Sequence, residues 1–281
     1  MSSWFTNNKL IIVLVLLISL SSPHIYAQRE FRVLQSMEAD AYAVLPDDYR
    51  VPGEFVVGRL MYPSYGGAFG GGGNWRMGGT NWAVDYPLGD RTYARLLRRL
   101  TTINVRSVEQ PVNLDDGDDI FNWPFLIVGM PGSWDLTDGQ AAKLREYLLK
   151  GGFLLADSFF GTNEWSGFVN GLRRVFPGRA IVDLPNQHAV FTIIYDLSER
   201  KQISNMRSLS GRGVPYRGGP SGADPQWKAI LDDNGRVMIA ISFNNDMGDS
   251  WQHQDNPRYP QQDAALGIQL GVNYAIYSLT H

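Results

Sequence analysis

The chain has 281 residues, 44% apolar and 19% charged, with no cysteine. That apolar fraction excludes a disordered chain, and a folded chain of this length buries roughly 70–75% of the surface its unfolded form exposes, enough for a core without covalent staples. The missing cysteines exclude disulfide frameworks, thiolate metal sites and a cysteine nucleophile. With 25 basic and 28 acidic residues the net charge is −3, which gives no electrostatic footprint for nucleic acid.

Lys9 precedes an apolar run over residues 10–20, followed by a polar break and Ile25-Tyr26-Ala27. A basic start, a short apolar stretch and a small residue at the cut predict a secretory signal peptide over 1–27, hence export to the periplasm or beyond. The run is shorter than the ~18–20 residues of a spanning helix. Ile25 is an unusual residue two places before a cut, so an uncleaved anchor is the alternative, and membrane contact is expected only through this segment. ATP and NAD(P)H are cytoplasmic currencies, so export argues against a nucleotide-dependent reaction.

Residues 28–52 read as an N-terminal extension, and 53–281 as a single domain. A strand is expected over 55–62, stopped by Pro63, then a glycine-rich stretch over 66–79. Asp90 is placed to cap a helix whose buried stripe is Tyr93, Leu96, Leu97 and Leu100. Strands are expected over 103–108 and 125–130, the latter a continuous apolar run of the kind buried on both faces. Thr137 and Gln140 form a capping box opening a helix with Ala141, Leu144 and Leu148 inward, and Gly151 suits a left-handed cap. A second doubly buried strand covers 152–156, and an amphipathic helix covers 165–176. Strands are expected over 180–184 and 189–195, and a loop over 207–225. A hairpin turns at Asp232-Asp233-Asn234-Gly235, and a last helix covers 264–279. Apolar strands alternating with helices predict an α/β fold: a doubly wound, mostly parallel sheet with helices on both faces and a C-terminal β-hairpin.

Several ordered motifs resemble the bacterial domain of unknown function 4159 family. They are Asn81-Trp82-Ala83-Val84-Asp85-Tyr86-Pro87, Phe121-Asn122-Trp123-Pro124-Phe125, Gly151-Gly152-Phe153-Leu154-Leu155-Ala156-Asp157, then His188, and Phe243-Asn244-Asn245-Asp246-Met247-Gly248-Asp249-Ser250-Trp251. The resemblance implies a fold similar to class I glutamine amidotransferases and flavodoxin-like domains. It also implies cell-envelope partners, since similar proteins often lie beside von Willebrand A-type and AAA-ATPase proteins. Ser158 stands where the family often has a second Asp, and Gln187 where Asp commonly precedes the His.

In open α/β sheets ligands bind beyond the carboxyl ends of the strands. Residues expected at that rim are Trp82, Asp85, Trp134, Asp157, Glu164, His188 and Asp246. Asp157, directly after its expected strand, reads as a base, a metal ligand or a cap of the next turn. Ser158, His188 and Glu164 are the residue types of a hydrolytic triad, but the flanking sequence lacks the glycines of a nucleophile elbow. His188 reads either as a ligand or as a loop histidine bonded to backbone. Asp85, Asp157 and Asp246 are the types for a Ca²⁺ or Mg²⁺ site, without a recognised spacing. The glycine-rich stretch fits neither a P-loop nor Gly-x-Gly-x-x-Gly, so no cofactor is implied and it reads as a mobile cover or tight-packing loop; Arg76 is placed to meet an anion there. Trp75, Trp82, Trp123, Trp134, Trp165 and Trp251 fall near loops, either as a sugar-binding surface or as core. The favoured expectation is a non-catalytic, exported ligand- or partner-binding domain; the alternative is a periplasmic hydrolase of an envelope glycan or amide acting through Asp157, His188 and Asp85, with Ser158 as a further candidate.

Overall fold

The computed structural model describes residues 29–65 and 73–281; the expected signal segment and residues 66–72 of the glycine-rich stretch lie outside the described residues. Strands β1 (Gly58–Met61), β2 (Gln110–Asn113), β3 (Phe125–Gly129), β4 (Phe153–Phe159), β5 (Val182–Asp183), β6 (Gln226–Leu231) and β7 (Val237–Phe243) form one sheet, ordered β2-β1-β3-β4-β7-β6-β5. Neighbours from β2 through β7 are parallel, and β6 is antiparallel to both β7 and β5. The helices are α1 (Leu88–Leu100), α2 (Asp138–Leu149), α3 (Gly161–Val175), α4 (Ala189–Thr192), α5 (Met206–Arg212), α6 (Met247–Gln252) and α7 (Gln261–Thr280). Among the described residues, no helix is long and apolar enough to cross a membrane.

The continuous apolar runs at β3 and β4 are buried on both faces because alternate side chains serve two separate cores. Leu126, Val128, Leu154 and Ala156 meet Leu144 and Leu148 of α2 and Phe168 and Leu172 of α3. Phe125, Ile127, Phe153 and Leu155 meet Tyr93 and Leu97 of α1 and Leu270 and Tyr274 of α7. This is the doubly wound, mostly parallel α/β arrangement. The capping box forms as expected, with the Gln140 amide donating to Thr137 Oγ1 at 3.2 Å and the Thr137 amide to Gln140 Oε1 at 3.0 Å.

Other expectations are corrected. Over 103–108 only Val105 pairs, in an isolated bridge to Phe55; the strand is β2, at the sheet edge where Pro111 can be tolerated without its amide. Residues 189–192 are a helical turn, not a strand, and 207–225 includes most of α5. Asp90 caps no helix: it pairs with the buried Arg59 of β1 at 2.5 Å. Leu100 of the α1 stripe is exposed. The hairpin turn joins β6 to β7, so the hairpin belongs to the main sheet. Strand β4 does not stop at Ala156 but runs to Phe159, with a shift of register between those residues.

The N-terminal extension lies against the domain as a strap. The Gln35 amide donates to Met77 O at 3.2 Å and the Met37 amide to Ala83 O at 3.0 Å. Glu38 accepts from the Asp85 amide at 3.1 Å.

Candidate functional site

Left-handed backbone is unusual for non-glycine residues, yet four occur together near the carboxyl ends of the central strands: Asp85 (φ 58°), Met130 (φ 49°), Ser158 (φ 59°) and Asn244 (φ 59°). Met130 follows β3, Ser158 lies in the irregular part of β4, and Asn244 follows β7. They are coupled through the main chain, the Met130 amide donating to Asp157 O and the Asn244 amide to Phe159 O, each at 3.0 Å. The pairing of β4 with β7 shifts register across Asp157 and Ser158, while Asp157 stays opposite Gly129 of β3.

Beside these strand ends is a cleft of about 510 Å³. Asp85, Ser158, Asp246 and Asp249 line its floor, with Met37, Glu38 and Asp40 supplied by the strap and Arg207, Arg217, His253 and Arg258 around it. Asp85, Asp246 and Asp249 are all buried, and each offers a carboxylate oxygen within 4.8 Å of the others. Asp246 Oδ2 accepts from Ser158 Oγ at 3.0 Å and Asn205 Nδ2 at 2.8 Å. Asp249 Oδ2 accepts from Asn205 Nδ2 at 3.1 Å and the Met206 amide at 2.7 Å. Asp85 Oδ1 is buried and has no hydrogen-bond donor among the described residues.

Burial, reinforced by the charges of Asp246, Asp249 and Glu38, holds the Asp85 carboxyl well above the usual carboxylate range; Arg59 opposes it. Burial and the charges of Asp249 and Asp157 raise Asp246 in the same way. Asp157 is pushed up to about 6 by burial, restrained by the amides of Gly248, Met247 and Ser158 and by Arg59. Burial and Asp249 raise Glu38. For His253 burial works downward, but the hydrogen bond and charge of Asp249, with Glu38 and Asp40, carry the imidazole above its ordinary value.

The expected site residues separate into two groups. Asp85, Asp157, Ser158 and Asp246 converge at the strand ends, with Asp157 Oδ2 accepting from the Gly248 amide at 2.9 Å. Glu164 lies nearby but is committed to the Phe160 amide, at 2.9 Å, and to an ion pair with Arg217, whose Nη2 donates to Ser158 O at 2.6 Å. His188 is elsewhere. Its Nδ1 accepts from the Val190 amide at 3.2 Å, capping α4, and its ring lies 5.9 Å from that of Tyr277. The Tyr277 hydroxyl accepts from the amide of Val237, the first residue of β7, whereas Asp246 follows the last. Ser158 therefore donates to a carboxylate and not to an imidazole, and the triad with His188 and Glu164 does not assemble.

Four of the six tryptophans expected near loops are core residues, while Trp75 and Trp165 are half-buried. Trp82 and Trp134 are fully buried, with Nε1 of Trp82 donating to Trp75 O at 2.7 Å and that of Trp134 to Phe168 O at 3.1 Å. Trp123 and Trp251 are buried too, and half-buried Trp165 stacks on Phe159. Trp82, Trp123, Trp134 and Trp251, buried with their N–H groups bonded, leave no platform for a sugar. Arg76 pairs with Asp115 at 2.5 Å.

Residue by residue, the segment 243–251 builds the floor. Asn244 Oδ1 accepts from the Gly161 amide at 2.8 Å, while its Nδ2 donates to Asp224 O at 2.7 Å and Ser221 O at 3.0 Å. Asn245 Oδ1 accepts from the Ile203 amide at 3.0 Å. Asp246 caps α6, and Trp251 stacks on Tyr93 at 4.3 Å. Asp249, Glu38 and His253 escape sequence reading. For Asp249, its position three residues after Asp246 in Asp-Met-Gly-Asp, one helical turn on, is the signal that both acids face one side. Glu38 and His253 carry no such signal.

No match is found among curated proteins. A family model described as a domain of unknown function (DUF4159) matches residues 73–279, most of the chain and all five of the resembling segments. The chain belongs to this DUF4159 family.

Proposed function

We propose that this chain is an exported cell-envelope domain that binds a ligand in the cleft at the carboxyl ends of β3, β4 and β7, without itself catalysing a reaction. Export is supported by Lys9 and the apolar run at 10–20. The binding reading is carried by the left-handed residues Asp85, Met130 and Ser158, all of which line the cleft. Such conformations cost of order 1–3 kcal/mol each and cluster at functional sites. Arg207, Arg217 and Arg258 beside an acidic floor favour a ligand with an anionic group. An Asp/His hydrolase working through His188 has no support from the cleft, because that imidazole caps α4 near the far end of β7.

The test is a thermal-shift screen of the mature chain against muropeptide fragments and acidic sugars, with and without divalent cations. The expected result is a stabilising ligand whose effect is lost in Arg207→Ala but kept in His188→Ala. Stabilisation unaffected by Arg207→Ala overturns the cleft as the site. Absence of any small ligand turns the reading toward a protein partner, of the von Willebrand A-type or AAA-ATPase kind that the resemblance implies.

A further inference from the structure

We propose that Asp85, Asp246 and Asp249 bind one divalent cation of the hard, oxygen-seeking class, with Ca²⁺, Mg²⁺ and Mn²⁺ as its members; the proposal rests on the cleft being a ligand site and supplies its floor. Two observations carry it independently. The first is spacing: the three carboxylate oxygens lie within 4.8 Å of one another. Oxygens bound to one Ca²⁺ at its usual distances span at most roughly 4.6–5.2 Å, so these three fit around a single ion. The second is the Asp85 carboxylate, whose Oδ1 is buried at the cleft with no donor among the described residues. A buried carboxylate oxygen ordinarily finds a hydrogen bond or a cation.

The surroundings are those of a ligand set held in place. Asn205 donates to both Asp246 and Asp249, Ser158 to Asp246, and the Met206 amide to Asp249. These contacts orient carboxylates as outer-sphere partners do around bound metals. The cations around them are shared with other acids: Arg59 pairs with Asp90 and Arg217 with Glu164, while His253 meets Asp249 Oδ1 at 3.4 Å. Carboxylates without thiolates select hard cations, and water or an anionic ligand in the cleft would complete the coordination.

The test uses the mature chain stripped with EDTA and titrated with CaCl₂, MgCl₂ or MnCl₂ by calorimetry and thermal melting. One ion per chain is expected, raising the melting temperature, with affinity at least about tenfold weaker in Asp85→Asn and Asp249→Asn. Asp138→Asn, at an exposed position on α2, leaves binding unchanged. Both site variants should stay folded in EDTA, since removing one of three crowded charges relieves repulsion. Should either fail to fold, Tb³⁺ on the wild-type chain replaces it: emission sensitised through Trp251 and displaced by Ca²⁺ supports the site, and its absence overturns it. No binding by any of the three cations, or equal binding in the Asn variants, also overturns it. A ligand that stabilises the chain in EDTA and is lost in Arg207→Ala would leave the cleft reading standing while the cation site falls.

Discussion

Gly248 stands so close to the carboxylate of Asp85 that a Cβ at that position would overlap Oδ2 and come within 2.7 Å of Cγ. Helix α6 can therefore begin against the acidic floor only because its second residue has no side chain. Gly248→Ala should cost about 1–3 kcal/mol, the usual range for overpacking, read as a lower urea midpoint. Gly139→Ala, in the exposed first turn of α2 where the nearest atom would be Thr137 Oγ1 at 4.0 Å, should be neutral or stabilising. Equal effects at both positions would contradict the packing described for α6.

Stability should fall as pH rises. Asp157, Asp85, Asp246 and Glu38 all have carboxyls raised in the folded chain. The folded state then holds protons that the unfolded chain releases near pH 4, so this stabilisation is complete below that pH and is lost as pH climbs through the folded values. Asp157, at about 6, alone corresponds to a loss on the order of 3 kcal/mol between about pH 4 and 6. His253, also raised, acts in the same direction on the way to neutrality. Asp48 and Asp232 are lowered, so their stabilisation fades only in stronger acid. In EDTA the urea midpoint should be lower at pH 7 than at pH 5, with a smaller difference in Asp85→Asn; a midpoint rising across that interval contradicts the charge balance described for the floor.

His188→Ala should remove the α4 cap at a cost of about 0.5–2 kcal/mol. It should leave the titration of the cleft unchanged, because the imidazole meets Tyr277 and not the acids. A calorimetric change in ligand or cation binding for this variant would place His188 back among the functional residues.

Asn244 separates conformation from hydrogen bonding. Asn244→Gly keeps the left-handed backbone and loses the bonds to Gly161, Ser221 and Asp224. Asn244→Ala loses the same bonds and also strains at φ 59°, so it should be the less stable of the two by about 1 kcal/mol or more, measured by chemical denaturation. The reverse order would mean that the glycine's unfolded-state entropy outweighs the strain.

The central fold was legible because its strongest signals are local. β3 and β4 are unbroken apolar runs, and α2 announces its start with Thr137 and Gln140. The edges were not: β2 reads Gln-Pro-Val-Asn, a polar stretch that pairing with β1 alone makes a strand. Residues 189–195 are apolar and β-branched, yet four of them form a helical turn packed on α7, since a short apolar run carries no distinguishing period. At the site, Asp85, Asp157, Ser158 and Asp246 were readable from the rule that strand ends face a common rim. Glu38 and His253 were not, because only the tertiary fold brings the strap and the end of α6 to the same floor. The tryptophans could be read either as surface or as core for a related reason: proximity to a loop in sequence says nothing about which way an indole faces.

The strap residues Met37, Glu38 and Asp40 form part of the cleft wall, yet they precede the stretch matched by the family model, which begins at residue 73. Part of the cleft wall and the sheet that carries its floor thus lie on separate stretches of chain. Because Glu38 takes the Asp85 amide, exchanging residues 35–41 would reach the acidic floor through that one bond while the sheet and its helices stay as they are.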